Sequence, residues 1–331
     1  IALDIGGANL KAADGLGFAE SHSFPLWQRP GQLAEALRVL IASAPPADHL
    51  AVTMTGELAD CFATKAAGVL AILDAVEVAA DGRYARVYLN DGTFVSTEIA
   101  RRTPQKAAAA NWHALARFAG RIAESAPALL LDVGSTTTDI IPLVDGKPAA
   151  IATSDTDRLM AGELVYTGVQ RSPICAVTTT VAYRGRPCPL AHELFATTWD
   201  VYLTLGDLPS QPEATHTADG RPATPAAALD RLARSICADR ETFGAADAEA
   251  VARSVQQAQT SKIGVAVGQV VARMSRTPEI VVLSGLGEFL ARRVVEKLRF
   301  APKIISLAET AGAKVSLCAP AHALAVLARE T

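Results

Sequence analysis

The sequence predicts an α/β fold in which two similar domains face each other across a cleft. A succession of strand and helix signals that begins at residue 1 recurs from about residue 128, and in both copies the first strand runs into an Asp-x-Gly turn. The length of 331 residues also exceeds the roughly 100–200 residues of one ordinary core. We therefore assign residues 1–125 to a first domain and 126–319 to a second, and expect a helix at 320–331 to pack back on the first.

The first copy contains three strand signals, a helix signal and a further strand signal. The strand signals cover residues 1–5, 8–13, 17–24 and 50–54. Gly6 and Gly7 lie between the first two and predict a tight turn. Apolar residues at helical spacing between Pro30 and Pro45 predict one helix before the last strand. Three strands, a helix and a strand are the start of a ribonuclease-H-like domain.

The second copy repeats this pattern with different residues. Its strand signals cover 129–133, 139–144, 147–153 and 279–284, and its helix signals cover 226–239 and 246–276. Between 155 and 212, several prolines and little periodicity predict a loop-rich insertion. In the first domain, helices at 58–76 and 104–125 flank a polar segment, 81–97, that we expect to form extra strands. The fold class is thus α/β, with two ribonuclease-H-like domains around a central cleft and this insertion.

Composition and charge argue against several kinds of partner. The net charge is −3 and no basic run occurs, so nothing favours binding to nucleic acid or to an anionic membrane surface. No apolar stretch reaches the roughly 20 residues that span a bilayer, and no basic leader precedes the first strand. The five cysteines lack metal-ligand spacing and fit reduced thiols. We expect a cytoplasmic protein that acts on small molecules, and leave open whether it forms a homodimer.

The first turn carries residue types that bind phosphate and a divalent metal. Asp4 ends the first strand, where a carboxylate can hold hydrated magnesium. Gly6 and Gly7 let main-chain N–H groups approach phosphate oxygens closely, and Asn9 and Lys11 can donate to the same anion. An ordinary glycine-rich hairpin would show the same residues, so this turn alone leaves both interpretations open.

The second turn, at residues 132–139, repeats this chemistry, with Asp132 in the position of Asp4. The main-chain and hydroxyl donors that follow are Gly134, Ser135, Thr136 and Thr137. Threonines are also strand formers, but a chance hairpin does not explain two such turns at equivalent points of a repeated fold. We therefore predict a phosphate-binding cleft in which Asp4, Asp132 and Asp139 hold Mg²⁺, with ATP or a diphosphate substrate as the anion.

A third glycine turn follows the strand predicted at 279–284. Gly285 and Gly287 flank a leucine, and Glu288 begins the helix that we expect after them. A Gly-x-Gly turn is weak evidence alone, but here it would lie at the cleft, where a helix N-terminus favours anions. We assign Gly285, Gly287 and Glu288 to the binding of a nucleotide or another organic group.

The three turns together resemble the phosphate and adenosine motifs of the superfamily of actin, Hsp70, acetate kinase and sugar kinases, which implies the fold and anion binding. A closer resemblance covers nearly the whole chain and involves residues 4–11, 53–60, 131–141, 155–159, 166–169 and 195–198. These segments are similar to the hydantoinase/oxoprolinase-like family linked to tetrahydromethanopterin-dependent one-carbon transfer. Its archaeal members include synthases of methanofuran biosynthesis.

This resemblance implies a transferase. The archaeal synthases join an aminomethylfuran methyl diphosphate to the phenol of γ-glutamyltyramine and release diphosphate, and in methylotrophic bacteria the product would be methylofuran, built on tyrosine. A furfuryl-type carbon can develop carbocation character, so the cleft would mainly stabilise departing diphosphate, while a carboxylate accepts the phenol proton. Two other functions stay open from the residues, an ATP-dependent small-molecule kinase and a nucleotide-switched binding protein.

Further candidates lie outside the three turns. Thr55 and Gly56 follow the strand at 50–54 and are assigned to substrate or nucleotide binding. Glu57 is the candidate catalytic base or a metal-side carboxylate, with the first turn of a helix as the alternative. Lys65 is assigned to diphosphate, with a solvated helix charge as the alternative.

In the insertion, Asp157 and Arg158 come soon after the third predicted strand of the second domain. Arginine can bind phosphate or a carboxylate through two parallel hydrogen bonds, and Arg171 offers the same chemistry further on. A surface ion-pair loop is the alternative, but the family resemblance assigns Asp157 and Arg158 to substrate contact. We assign His192 and Trp199 to the core, since single residues of these types pack more often than they react.

Overall fold

The structure, a computed structural model, describes residues 1–330 and contains two mixed β-sheets. The strands of the first sheet are β1 (Ala2–Ile5), β2 (Asn9–Ala13), β3 (Ala19–Ser23), β4 (His49–Met54), β5 (Tyr84–Tyr88) and β6 (Phe94–Ser96). Their order across the sheet is β3-β2-β1-β4-β5-β6, and β1 is antiparallel to β2 but parallel to β4. The extra strands predicted at 81–97 are therefore present as β5 and β6.

The second sheet has the same arrangement around its first strand. Its strands are β7 (Ala128–Val133), β8 (Thr138–Val144), β9 (Lys147–Pro148), β10 (Leu164–Val165), β13 (Ile280–Ser284) and β14 (Lys303–Ser306), while β11 (Thr180–Tyr183) and β12 (Arg186–Pro189) form a separate hairpin. Strand β7 is antiparallel to β8 and parallel to β13, as β1 is to β2 and β4. This repeat confirms the prediction of two ribonuclease-H-like domains.

Helices cover both sheets. A short 3₁₀ helix (Pro30–Gln32) lies directly before the first α-helix. The α-helices are α1 (Leu33–Ser43), α2 (Lys65–Ala80), α3 (Thr97–Arg102), α4 (Pro104–Ala107), α5 (Asn111–Ala123), α6 (Asp155–Ala161), α7 (Ile174–Val177), α8 (Thr198–Thr204), α9 (Pro225–Arg234), α10 (Ala245–Val271), α11 (Glu288–Val295), α12 (Leu307–Ala311), α13 (Ala313–Leu317) and α14 (Ala319–Ala328). Leu37 of α1 and Ile72 of α2 are fully buried in one core with the first sheet, and Ile263 of α10 is buried in another with the second. None of these helices combines the length and apolarity needed to cross a membrane.

Helices α5 and α14 connect the two sheets. Leu115 of α5 belongs to a buried cluster with Leu130 of β7, so a helix from residues 1–125 packs against the second sheet. Leu324 of α14 is buried with Ala2 of β1, so the last helix packs against the first sheet. The final residue of the segment predicted at 320–331 lies outside the described residues. Each of these two helices thus packs against the sheet formed by the other half of the chain.

The strand predicted at 147–153 is confirmed only at Lys147–Pro148, because the edge of β8 pairs with two short strands, β9 at one end and β10 at the other. Between them the chain leaves the sheet after Ala149 and forms α6. Ser154 caps this helix by accepting a hydrogen bond from the N–H of Asp157 at 3.2 Å. The rest of the segment 155–212 consists of short elements joined by loops.

Two predicted helices also have different boundaries. The helix predicted at 58–76 begins only at Lys65, where the Thr64 side chain accepts a hydrogen bond from the N–H of Ala67 at 3.1 Å. Glu57 therefore lies in the loop before the helix and is not in its first turn. The helix predicted at 104–125 is divided into α4 and α5, because Ala109 has a left-handed backbone conformation with φ 48°.

The close packing of α5 can be tested with two glycine substitutions. A Cβ added to Gly120 in α5 would lie 2.2 Å from the main-chain oxygen of Gly146, whereas Gly264 in α10 has nothing within 4 Å of such an atom. Alanine normally stabilises a helix over glycine by about 1 kcal/mol. We expect Gly264→Ala to raise the free energy of unfolding by up to about 1 kcal/mol, and Gly120→Ala to lower it by roughly 1–3 kcal/mol because the Gly146 backbone must move. Urea unfolding measures both, and a stabilising Gly120→Ala would contradict this packing.

Candidate active site between the two sheets

Two turns, one from each sheet, line a common cleft. A hydrogen bond from the N–H of Gly6 to the carbonyl oxygen of Asn9 (3.0 Å) closes the β1–β2 turn. The N–H of Gly134 closes the β7–β8 turn in the same way, by donating to the carbonyl oxygen of Thr137 (2.9 Å). Gly6 and Gly134 therefore shape the turns and do not offer these N–H groups to a ligand.

The N–H groups at the tips of both turns are free. Within residues 1–330, no hydrogen bond has as its donor the main-chain N–H of Gly7, Ala8, Ser135, Thr136 or Thr137. These residues all line cavities of the cleft. Unpartnered main-chain N–H groups in an open turn are suited to an anion. The structure thus brings the two predicted phosphate turns together with donors available at both.

Different residues of the turns line two cavities. The first, here called the lysine chamber, has a volume of about 220 Å³ and is lined by Asn9, Lys11, Asp132, Gly134, Ser135 and Gly285, among others. The second, the arginine chamber, has a volume of about 380 Å³ and is lined by Gly7, Thr55, Asp60, Thr136, Thr137, Asp139, Asp155, Arg158 and Arg171, among others. Both chambers therefore contain residues from each half of the chain.

A third cavity, the outer chamber, adjoins both of these. Its volume is about 1020 Å³, and its walls include Trp27, Trp199 and His216. It shares Asn9 with the lysine chamber and Arg171 with the arginine chamber. Trp199 is buried, as predicted, and its ring lies 5.0 Å from that of His216. The accessible rings of Trp27 and His216 therefore offer aromatic surface to a ligand beside the phosphate turns.

The three predicted metal ligands lie close enough to affect one another's pKa. The hydrogen-bond donors to them are Asn111 for Asp4 at 3.5 Å, Ser284 for Asp132 at 2.6 Å and Arg158 for Asp139 at 2.5 Å. Burial raises the pKa of all three carboxyl groups, that of Asp132 to about 7. The negative charge of Asp139 raises the pKa of Asp4 and Asp132 further. Ionising all three in the absence of a bound cation is therefore unfavourable.

These acids fit a hydrated divalent cation better than a dedicated metal cage. In the part of the chain that the structure describes, no group of three or more His, Cys, Asp or Glu side chains is arranged to hold a metal ion. The cations that lower the pKa of the three carboxyl groups are Lys11 and Arg158, so negative charge remains uncompensated. Mg²⁺ usually keeps several waters and binds through one or two carboxylates and substrate phosphates, which suits this arrangement.

The third glycine turn packs directly on the second phosphate turn. Gly285 has φ 91°, and a Cβ there would lie 2.4 Å from the main-chain oxygen of Val133 and 2.8 Å from Oδ1 of Asp132, so only glycine fits. The N–H of Gly287 donates to that same Val133 oxygen at 2.8 Å. Gly285 lines the lysine chamber, so this predicted residue does lie at the cleft.

Glu288 has a different position. One of its carboxylate oxygens accepts from the Ser306 hydroxyl, and the other accepts from the Ser316 hydroxyl and from the N–H of Ala308 (2.9 Å). It lines none of the three chambers. The geometry makes Glu288 an internal anchor between α11 and the segment 306–316, and not a ligand contact.

Glu57 is buried beside the arginine chamber but does not line it. Its Oε2 has no hydrogen-bond partner among the described residues. Burial raises the pKa of its carboxyl group to about 7, and the negative charge of Asp155 contributes in the same direction. Of its neighbours in sequence, Thr55 lines the arginine chamber and Gly56 packs tightly against Gly6. Glu57 thus has the pKa of a base, but no direct opening to the chamber.

The remaining predicted contacts differ in accessibility. Arg158 is buried, pairs with Asp139 and lies 4.2 Å from the ring centre of Trp112. Its positive charge is thus already paired with a carboxylate of the protein. Lys65 pairs with Asp155 at 3.3 Å and lines none of the chambers. Asp157 is exposed at the start of α6, where its Oδ2 accepts from the Ser154 hydroxyl at 2.6 Å.

Sequence reasoning missed several residues that the fold brings to the cleft. Asn111, Trp112 and Trp27 line the arginine chamber, and Ser284 donates to Asp132. Asn111, Trp112 and Trp27 belong to no local motif, so only the pairing of distant segments reveals them, whereas Ser284 directly precedes the third glycine turn but had no predicted role. The assignment of His192 to the core was wrong, because this side chain is exposed.

Comparisons with known proteins agree with this architecture. Residues 48–331 match the Hydantoinase/oxoprolinase family. The chain is 35% identical over 332 residues to the (4-{4-[2-(γ-L-glutamylamino)ethyl]phenoxymethyl}furan-2-yl)methanamine synthase of Methanocaldococcus jannaschii, covering 99% of this chain and 96% of that one. It is 32% identical over 201 residues to the protein of the same name from Methanococcus vannielii, covering 60% and 89%. Nucleotide-free acetone carboxylase has a TM-score of 0.50 at 12% identity, over 94% of this chain and 51% of that one, which indicates the fold alone.

Two ribonuclease-H-like sheets with a phosphate-type turn in each define a protein of the actin-like ATPase and sugar-kinase fold. Within this fold, the chain belongs to the hydantoinase/oxoprolinase family. Its similarity to two named synthases, to one of them over the full length, supports an enzyme that acts on small molecules.

The buried carboxyl group of Glu57 predicts a pH-dependent stability. Its pKa is about 7 in the folded protein against an ordinary 4.5, so the folded state favours the protonated form and the wild type loses stability as the pH rises from about 4.5 to 7. Glu57→Gln cannot ionise, and we expect its stability relative to wild type to increase by roughly 3 kcal/mol between pH 4.5 and pH 8. Urea unfolding at both pH values measures this, with the exposed Glu35→Gln as control. An equal pH response in wild type and Glu57→Gln would contradict the burial of this carboxyl group.

Proposed function

We propose that the chain forms an aryl alkyl ether in the biosynthesis of methanofuran or methylofuran. The donor would be an aminomethylfuran methyl diphosphate, and the acceptor would be the phenol of tyrosine or of (γ-glutamyl)tyramine. The free N–H groups of the two turns carry this proposal, because they supply donors for a diphosphate beside a chamber with aromatic walls. The names of the two archaeal relatives describe a phenoxymethylfuran bearing an amine, which is the kind of product that this reaction forms.

The reaction replaces one carbon–oxygen bond with another. The bond between the furan-bound methylene carbon and the diphosphate oxygen breaks, and its electron pair leaves with the diphosphate. The phenol oxygen forms the new bond to that carbon and loses its proton. Because the furan ring stabilises positive charge on the carbon, the enzyme mainly has to stabilise negative charge on the leaving group.

The residues of the turns suit that task. In this proposal the N–H groups of Gly7 and Ala8 from the first turn, and of Ser135 and Thr136 from the second, donate to diphosphate oxygens. Lys11, which makes no ion pair within residues 1–330, adds a positive charge from the lysine chamber. A bound Mg²⁺ would neutralise phosphate charge, and Asp4, Asp132 and Asp139 would hold it through its water ligands.

The arginine chamber also supplies a carboxylate for the phenol proton. Asp139 and Asp155 are both paired with cations there. Asp60 lines the same chamber, is exposed to it and makes no ion pair among the described residues. We therefore assign the proton to Asp60 in preference to Glu57, which lines none of the chambers.

An ATP-dependent small-molecule kinase is the second candidate, and one observation favours it. Gly285 lines the lysine chamber together with Lys11 and Asp132, so an organic group attached to a phosphate chain could lie against that turn. The two functions differ in whether ATP is consumed.

The deciding experiment incubates the purified full chain and Mg²⁺ with the furan diphosphate and either phenol acceptor, with and without ATP. Mass spectrometry follows the ether, and a coupled assay follows diphosphate. We expect ether formation that does not depend on ATP. Formation of ADP and a phosphorylated acceptor, with no ether, would replace the synthase by a kinase.

The acidic centre can be tested by removing single charges. We expect Asp4→Asn and Asp132→Asn each to lower kcat by roughly 100-fold or more, since each removes a carboxylate that would hold the Mg²⁺ that neutralises the leaving group. Both variants should retain a cooperative thermal transition. Asp145→Asn, which changes an exposed residue of the β8–β9 turn, is the matched control and should react like wild type. Near-normal turnover of either Asp4→Asn or Asp132→Asn would remove the acidic centre from the mechanism.

A further inference from the structure

The contact between Trp27 and Arg171 spans the cleft next to the phosphate turns. The guanidinium carbon of Arg171 lies 4.4 Å from the ring centre of Trp27. Each partner is tied by its backbone to a different turn: the N–H of Leu26, next to Trp27, donates to the Gly7 carbonyl at 3.0 Å, and the N–H of Arg171 donates to the Ser135 carbonyl at 3.0 Å. The two side chains that meet here therefore extend from backbone segments that are each hydrogen-bonded to a phosphate turn.

Arg171 differs from the other cations near the arginine chamber in having no carboxylate partner. Arg158 is paired with Asp139, and Lys65 is paired with Asp155. No Asp or Glu oxygen lies within 4.0 Å of the guanidinium of Arg171 in the part of the chain described by the structure. Partial burial lowers the pKa of this guanidinium, while the charges of Tyr166 and Asp60 act in the opposite direction, and Arg171 as a whole is exposed. An anionic group on a ligand can therefore reach this guanidinium and pair with it.

The location of Arg171 indicates which anion it meets. Arg171 lines the arginine chamber and the outer chamber but not the lysine chamber. The outer chamber carries the accessible aromatic surfaces of Trp27 and His216, which suit the ring of a phenol. A guanidinium stacked on an indole keeps its in-plane N–H groups free for a bidentate contact with a carboxylate.

We propose that Arg171, held by Trp27, binds the carboxylate of the acceptor and so selects phenols that carry an amino-acid end. This inference rests on the proposed synthase function. Tyrosine has such a carboxylate, and so does the γ-glutamyl group in the names of the archaeal relatives, whereas tyramine has none. Arg171 is thus a specificity residue for the acceptor and not a ligand of the diphosphate.

The test compares acceptors that differ in the carboxylate. For wild type, Arg171→Gln and Arg171→Lys, kcat/KM is measured with tyrosine, γ-glutamyltyramine and tyramine, together with the KM of the furan diphosphate. We expect Arg171→Gln to lower the ratio of kcat/KM for tyrosine to that for tyramine by about 10- to 100-fold, since a charge-assisted contact is lost. Arg171→Lys should give an intermediate ratio because the charge remains but the planar fork is lost. An unchanged ratio, or a selective rise in the KM of the diphosphate, would overturn the proposal.

Arg184→Gln is the matched control, because Arg184 also stacks on an aromatic ring, that of Tyr183 at 4.9 Å, but lines none of the three chambers. This control should keep the wild-type ratio. Equilibrium binding of tyrosine and tyramine, followed by tryptophan fluorescence without the diphosphate, separates the two proposals. If tyrosine binds better than tyramine because of Arg171 but no ether forms, only the synthase function is overturned. If the ether forms but tyrosine is not preferred over tyramine, only the role of Arg171 is overturned.

Discussion

The burial of three carboxyl groups, Asp4, Asp132 and Asp139, with only two neighbouring cations, Lys11 and Arg158, is the constraint on which the candidate site depends. Burying carboxylates without sufficient partners is costly, and burial accordingly raises the pKa of all three. The free N–H groups of the two turns lie in the same cleft and favour negative charge on a ligand. An anion alone would meet repulsion from the acids, and a cation alone would leave the N–H groups without an acceptor. The arrangement therefore favours an anion and a cation bound together, as in a magnesium polyphosphate.

The fold creates this constraint through the strand order of its two sheets. Strands β1 and β7 each lie between an antiparallel and a parallel neighbour, so Asp4 and Asp132 are held within a sheet and not at its edge. The helices that join the sheets also reach this centre, since Asn111 at the start of α5 donates to Asp4. A change in the packing of α5 would therefore alter both the relation of the sheets and the surroundings of the acids.

The phosphate turns could be predicted because their information is local. A strand, an aspartate, glycines and donor residues follow one another within eight positions, and the same order recurs at equivalent points. The division of the predicted strand 147–153 depends on α6 and its cap at Ser154, which compete with strand pairing. Glu288 follows a glycine turn as a ligand residue would, but serines from distant segments occupy its oxygens. The contact of Trp27 with Arg171 likewise depends on how the two halves pack, which no local pattern contains.

The sizes and walls of the chambers bear on which reaction the cleft serves. The lysine chamber, where Gly285 would contact a nucleoside, has a volume of about 220 Å³, while the outer chamber has about 1020 Å³ and includes the indoles of Trp27 and Trp199. The larger space for organic groups thus lies beside Arg171, in a chamber that Gly285 does not line. A kinase would place its largest organic group, the nucleoside, against Gly285. The proposed synthase, which joins two ring-containing molecules, would use the larger outer chamber for these rings.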